Sequence, residues 1–293
     1  MSFDLGVAYA LVAAVGWGAF IFANKRYFAA YPSASFMGLT YGFGALWYLP
    51  VALVVAPPPG LAPAEWAFAG WTVACLAGGL GLFFAAVRRG DVSYVAPVGK
   101  VTPVFVLPIE VVLLGDRFRS LQVAGIGLAT AAVYLANYRG GPLLAPVRKA
   151  TTERAPQLAL ASAGVLAVLN VSQGVLLQDV GLDPRTWLLV KAGGAALLFA
   201  PLAVRDYRAG RLPDVGADLP RLAAAGLLLA VSEYFVVASL AILSASIATP
   251  LLATQAVVAV VLGGVVLREG QFAIRLAAAG VAVAGVTLIA LPG

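Results

Sequence analysis

The sequence predicts an all-α polytopic membrane protein, in which ten transmembrane helices form two inverted-topology five-helix repeats around a central cavity. Three observations lead to this prediction. Of the 293 residues, 62% are hydrophobic and only 11% are charged, whereas a soluble domain carries about 25% charged residues. Ten apolar runs each approach or exceed the roughly 20 residues that a helix needs to cross a bilayer. The two halves of the chain also resemble each other at an offset of 153 residues.

The ten apolar runs are separated by glycine, proline and charged residues. They lie near 5–24, 34–56, 65–87, 92–114, 120–138, 156–177, 185–204, 219–242, 246–267 and 271–291. Asp4 stands where a signal peptide would carry basic residues, so we expect the first run to remain as a helix. The runs use most of the chain, and we expect no soluble domain within it.

The basic residues are distributed unequally between the two ends of the predicted helices. With ten spans, both termini lie at the same end, which we call the terminal side. Of the nineteen Lys and Arg residues, fourteen fall at the opposite end, three at the terminal side and two inside spans. The positive-inside rule then predicts that both termini face the outside of the cell. We call the opposite end the basic side.

The repeat is clearest where 93–138 is set beside 246–291 without a gap. Residues that match at this offset include Pro97 and Pro250, Thr102 and Gln255, Asp116 and Glu269, and Gly127 and Gly280. Since each half contains five helices, an odd number, the second half must enter the membrane from the opposite face. Inverted repeats of this kind are typical of transporters with a site near the bilayer midplane. The predicted division is 1–140, a connection at 141–155, and 156–293.

The composition excludes several kinds of chemistry. The chain has no histidine, which removes imidazole metal ligands and Ser-His-Asp triads. Its single cysteine, Cys75, cannot form an intrachain disulfide or a thiolate cluster. We therefore expect no metal, no cofactor and no enzymatic activity. We also expect no nucleic-acid binding, because the basic residues are spread over several loops without a soluble module to carry them.

Short motifs resemble the EamA family of the drug/metabolite transporter superfamily. The first run contains Trp17 and Gly18, followed by Phe20 and Lys25; the fourth run reads SYVAPVGKVTPVF and is followed by GDRF. The resemblance implies ten helices in two inverted halves, a central cavity lined by helices 1, 3, 4, 6, 8 and 9, and export of small metabolites. The second half lacks the WG motif. Family members usually keep both termini in the cytoplasm, whereas the charge distribution here predicts the outside.

Four charged residues lie within the predicted spans, where a charge costs roughly 2.5–3.5 kcal/mol on insertion scales. Glu233 and Lys191 lie near the centres of their helices. Glu233 is a candidate for coupling protons to transport or for binding a substrate amine; the alternative is a static ion pair with Lys191 or Lys100. Lys100 is a candidate anion-binding residue or a side chain that reaches the interface. For Glu110, a structural role near the interface is favoured.

Uncharged polar and aromatic residues on the predicted cavity helices complete the candidate substrate site. They are Trp17, Asn24, Thr102, Asn170, Gln173, Tyr234 and Gln255. Each amide taken alone is more typical of a hydrogen bond between helices. As a set, these residues could orient a small polar solute.

The resulting prediction is a secondary carrier in the cell membrane, which exports amino acids or similar small zwitterions by alternating access. Lys100 would bind a carboxylate and Glu233 an amine. No Walker lysine motif is present, so ATP is not expected to drive transport. The alternative is a membrane-embedded lipid-handling protein or an enzyme acting at the bilayer interface. The expected partners are a small solute and the lipid bilayer. Small residues at repeated positions allow either a monomer or a homodimer.

Overall fold

The computed structural model describes most of the chain. The described residues are 2–57, 60–87, 89, 102–115, 117–136, 152–255, 258–259, 261–262, 280–281, 284–285 and 288. They form an all-α protein.

The helices follow the apolar runs closely. They are α1 (Ser2–Tyr27), α2 (Ser33–Val55), α3 (Pro63–Val87), α4 (Thr102–Ile109), α5 (Ser120–Ala136), α6 (Arg154–Gln178), α7 (Pro184–Arg208), α8 (Leu219–Leu240) and α9 (Ala245–Ala253). Within the described residues, six of these, namely α1, α2, α3, α6, α7 and α8, are long and apolar enough to cross a membrane.

Three predicted spans are described only in part or hardly at all. The fourth span begins before the described residues that form α4, and the ninth continues beyond the end of α9. The tenth, predicted at 271–291, lies almost wholly outside the described residues. The ten-helix arrangement therefore remains a prediction.

Prolines inside the apolar runs do not end the helices. Pro50 lies within α2 and Pro201 within α7. In α4, Pro108 is followed by a π-helical turn at Glu110–Leu114, which ends at Gly115 with a φ of 73°. This turn carries the charged residue Glu110 into the interior of the protein.

Helices from the two halves of the chain pack against each other. The most extensive pairs are α2 with α7, α3 with α6 and α1 with α8; α8 also packs on α2, α6 on α4, and α1 on α9. Glycine permits close approach in two of these pairs. A Cβ atom on Gly79 of α3 would lie 2.6 Å from Leu166 of α6, and one on Gly16 of α1 would collide with Ser232 of α8.

The buried core divides between the two ends of the helices. The first turns of α1 pack on the short segment between α8 and α9, since a Cβ atom on Gly6 would lie 2.7 Å from Leu243. The larger apolar cluster lies at this terminal side and includes Trp187, Leu240 and Leu251. The second cluster lies towards the basic side, around Phe36 and Phe199. Residues such as Leu53 and Val54 point outward and are 77% and 83% exposed, as expected for a surface that faces lipid.

Candidate functional site

Two of the predicted substrate-binding amides form hydrogen bonds between helices. Asn170 of α6 donates through Nδ2 to Oγ1 of Thr249 in α9, at 3.2 Å. Gln173, one turn further along α6, accepts through Oε1 from Nε1 of the buried Trp187 in α7, at 3.3 Å. Gln173 itself is 1% exposed. The Asn170 bond joins two predicted cavity helices, whereas the Gln173 bond stabilises packing on the neighbouring α7.

The other uncharged candidates on α1, α4 and α9 are half-buried. Trp17 packs against both apolar clusters, and its ring lies edge-on to Phe20 with 5.3 Å between the centroids. A Cβ atom on Gly18 would lie 2.8 Å from the backbone oxygen of Gln255. The Trp17–Gly18 motif is therefore where α1 comes close to the ninth predicted span, just beyond the end of α9. Asn24 and Thr102 are half-buried as well.

Two more of the predicted site residues are Lys100 and Tyr234. Lys100 lies outside the described residues. Tyr234 lines a cavity on the outer flank of the protein, between α2 and α8, and its ring contacts Phe235 with 5.4 Å between the centroids.

Lys191 and Glu233 form a buried ion pair between α7 and α8. Nζ of Lys191 lies 2.5 Å from Oε2 of Glu233, and the two side chains are 3% and 5% exposed. The other carboxylate oxygen, Oε1, accepts a hydrogen bond of 3.1 Å from the hydroxyl of Tyr41 in α2. Both oxygens of Glu233 therefore have partners, and the predicted pairing with Lys191 is present.

The ion pair lies closer to the terminal side than the sequence suggests. Lys191 is seven residues after Pro184, the first residue of α7, and Glu233 is seven residues before Leu240, the last residue of α8. At 1.5 Å per residue, each lies about 10 Å from the terminal end of its helix. The pair joins α2, α7 and α8, and Asn170 and Thr249 lie on other helices.

Glu110 has a structural role, as the sequence favours, but as a helix cap, which the sequence did not indicate. It is 2% exposed. Its Oε1 accepts from the backbone N–H of Ala245 at 2.5 Å, and its Oε2 accepts from that of Ser246 at 2.8 Å. Ser244 precedes α9 but its side chain makes no capping hydrogen bond. The carboxylate from α4 therefore caps α9, where free N–H groups and the helix dipole favour negative charge.

Gln178 makes a further polar contact between helices at the terminal side. Nε2 of Gln178, the last residue of α6, donates to the backbone oxygens of Leu240 at 2.7 Å and Leu243 at 2.9 Å. Together with Glu110 and Asn170, Gln178 connects α4 and α6 to the end of α8 and the start of α9. We call these three contacts the terminal latch.

The basic side has its own contacts, which involve α2. Oγ of the buried Ser35 donates to Oδ2 of the buried Asp206 at 2.6 Å, and Arg211 lies 3.2 Å from the other carboxylate oxygen. In the loop before α2, the Tyr31 hydroxyl donates to Oδ2 of Asp218 at 3.0 Å. Burial, followed by the bond to the Asp218 carboxylate, raises the pKa of Tyr31 to about 12. These contacts hold the start of α2 against the end of α7 and the segment that follows it.

No group of three or more His, Cys, Asp and Glu side chains in the described part of the chain is placed to hold a metal ion. The residues that sequence reasoning missed are Tyr41 and Gln178. Tyr41 lies within the second apolar run, and Gln178 directly follows the sixth, which ends at residue 177. An inventory of every hydrogen-bonding side chain in the spans and at their ends would have included both.

Comparisons with known proteins concern the family and the fold. Residues 4–138 match the family model described as "EamA-like transporter family". A solved chain, described only as a crystal structure of a protein, superposes with a TM-score of 0.77 at 17% identity, covering 97% of this chain and 95% of its own length. At that identity the likeness establishes the fold alone. No curated protein matches the chain.

The family model that matches residues 4–138 is one of transporters. Together with the six long apolar helices in the described residues, it makes this a multi-pass membrane protein. Residues 4–138, slightly less than half of the chain, are therefore similar to the EamA-like transporter family of the drug/metabolite transporter superfamily.

Proposed function

We propose that the protein is a secondary transporter that exports a small polar solute, such as an amino acid or another small zwitterion, by alternating access. The observation that carries the proposal is the terminal latch. It consists of polar side chains that connect two groups of helices at one end of the molecule. Contacts of this kind can close one entrance while the other is open.

The helix pairs are those expected of an inverted repeat. Moving each helix by 153 residues converts the α3–α6 pair into α8–α1 and returns α2–α7 to itself, while α4 falls on 255–262, in the ninth predicted span beyond the end of α9. These pairs are all present in the packing. They support the proposed division into repeats at 1–140 and 156–293, joined by 141–155.

The same packing suggests which helices move together. Helices α3 and α4 pack on α6, while α8 and α9 pack on α1. We call these groups bundle A (α3, α4 and α6) and bundle B (α1, α8 and α9). Each contains helices from both sequence halves, so the rigid bodies would be these bundles and not the halves themselves. The terminal latch joins bundle A to bundle B.

The two entrances differ in their chemistry. The repeat partners of Glu110, Gln178 and Asn170 at the offset of 153 are Gly263, Lys25 and Trp17. Glycine has no side chain and so cannot supply the carboxylate that caps a helix, which means that the basic side cannot form the same latch. The protein would therefore favour the state that is closed at the terminal side, and the solute would enter from the basic side.

In this scheme the solute lies between the bundles, near Asn170, Thr249 and Gln255. These residues are supplied by α6 and by the ninth predicted span, which begins with α9, and Trp17 lies on the adjoining α1. We retain Lys100 in the proposal as the group that binds a carboxylate. Lys191 and Tyr41 occupy both carboxylate oxygens of Glu233, so Glu233 can bind an amine or couple protons only if one of these contacts opens.

The test is uptake of radiolabelled amino acids into liposomes that contain the purified protein and a large excess of the same unlabelled solute inside. A transporter should accumulate the label transiently and leave it chemically unchanged. Asn170→Leu should reduce uptake at least tenfold, whereas Gln157→Leu, at an exposed position on the same helix, should not. Chemical conversion of the solute, or equal uptake by protein-free liposomes for every solute tested, would contradict the proposal.

A further inference from the structure

A cavity of about 330 Å³ lies on the outer flank of the protein, outside the proposed solute path. Its walls are formed by α2 between Trp47 and Val55 and by α8 between Leu227 and Tyr234, and Arg185 of α7 lies beside them. Its volume is at the lower end of the range for small-molecule sites, roughly 300–1,000 Å³.

The shape of the cavity follows from the crossing of α2 and α8. A Cβ atom on Gly44 would lie 3.2 Å from the backbone oxygen of Gly226, so the helices touch there. Beyond this crossing, towards the terminal side, bulky residues replace glycine on both helices. Trp47 closes the near end of the cavity, since its Nε1 donates to the backbone oxygen of Ala223 at 2.9 Å.

The cavity opens towards the membrane. Its wall residues Val51 and Val231 are 49% and 48% exposed. In a bilayer, apolar side chains on the outer flank of spanning helices contact acyl chains. The groove is therefore accessible from the lipid phase without passage through the protein.

Arg185 supplies a positive charge at the end of this apolar groove. It lies in the first turn of α7 and is about half exposed; its Nη1 donates to the backbone oxygen of Val55 at 3.1 Å, and its Nε lies 3.3 Å from Oδ1 of Asp183. These contacts fix the guanidinium beside the end of α2. Tyr48 is seven residues before Val55, which places it about 10 Å deeper. The guanidinium of Arg185 therefore lies near the membrane interface, and the apolar groove between α2 and α8 extends from it into the membrane.

We propose that this groove binds an anionic glycerophospholipid, with its phosphate at Arg185 and an acyl chain between α2 and α8. Arginine presents five N–H donors that suit phosphate oxygens, and the two contacts above leave others to donate. Asp183 offsets part of the charge but also orients the guanidinium. The lipid comes from the leaflet on the terminal side, and the inference does not depend on what the protein transports.

Native mass spectrometry of the purified protein, titrated with phosphatidylglycerol or phosphatidylcholine in mixed micelles, tests the proposal. Wild-type protein should retain phosphatidylglycerol about tenfold more tightly than phosphatidylcholine. Arg185→Gln should remove this preference and Arg185→Lys should keep much of it. Val231→Trp, which fills the groove, should reduce the retention of both lipids.

Matched controls make the outcome decisive. Arg119→Gln and Val54→Trp change exposed residues of the same types outside the groove, and both should behave as wild type. The proposal is wrong if the groove variants match these controls, or if wild-type protein shows no preference between the lipids. It is also wrong if millimolar glycerol phosphate, which has no acyl chain, displaces the lipid, since the site would then be an anion site only.

Discussion

Replacing Glu233 by glutamine is the most informative single change, because it separates a packing role from a coupling role. The variant keeps the side-chain volume and the hydrogen bond to Tyr41 but leaves Lys191, which is 2% exposed, without its counter-charge. Breaking one partner from a buried pair costs about 3–5 kcal/mol. At about 2–4 °C per kcal/mol for a chain of this size, the melting temperature should fall by roughly 10 °C.

A second substitution, at Lys191, distinguishes a packing role of Glu233 from a role in proton coupling. Lys191→Met in the Glu233→Gln background removes the stranded charge, and replacing a whole buried pair is often close to neutral. The double variant should therefore regain most of the thermal stability in a detergent melting assay and most of the liposome uptake. If Glu233 couples protons instead, the double variant will melt like wild type but still lack proton-driven uptake. If Glu233→Gln alone melts and transports like wild type, the ion pair has neither role.

Further predictions concern the contacts at the two ends and the helix packing. The pKa of Tyr31 is raised from 10 to about 12. Its contribution to stability is therefore complete below pH 10 and is lost as the pH rises towards 12. When unfolding is measured as a function of pH, this loss should be absent in Tyr31→Phe. Gly16→Leu should destabilise the protein by about 1–3 kcal/mol through overpacking against Ser232, whereas Gly42→Leu, with open space around it, should have little effect on the melting temperature. A C-terminal reporter that is active only in the cytoplasm should remain dark in intact cells, as the charge distribution predicts; a bright signal would place both termini inside.

The helices can be predicted well from the sequence because the membrane imposes a simple requirement. A segment must be apolar and roughly 20 residues long, whatever it packs against. Pro50 and Pro201 do not affect the predicted helix boundaries, since the apolar runs continue through both. The irregular turn at Glu110 was not foreseen, because a π-helical turn depends on how Pro108 is accommodated by its neighbours.

The partners of the buried polar residues could not be predicted in the same way. Tyr41 and Glu233 are 192 residues apart, and Glu110 and Ala245 are 135 apart. Helices that are apolar on all sides carry no stripe to indicate which face meets which neighbour. The pairing of Lys191 with Glu233 is predictable because only a few charges lie in the spans. Tyr41 and Gln178 belong to a larger group of polar residues, and nothing in the sequence singles them out.

Alternating closure by bundles A and B is the central claim, and spin-label distance measurements test it most directly. In a Cys75→Ser background, labels at Leu5 and Asp179 report on the terminal side, and labels at Gln157 and Leu219 report on the basic side; all four positions are exposed. Glu110→Ala removes two hydrogen bonds to a charged group, each worth about 1.5–3 kcal/mol. It should therefore shift the balance between the two states at least tenfold. The account predicts that the terminal pair moves to longer distances while the basic pair moves to shorter ones. Unchanged distances at both ends, or lengthening at both, would contradict it.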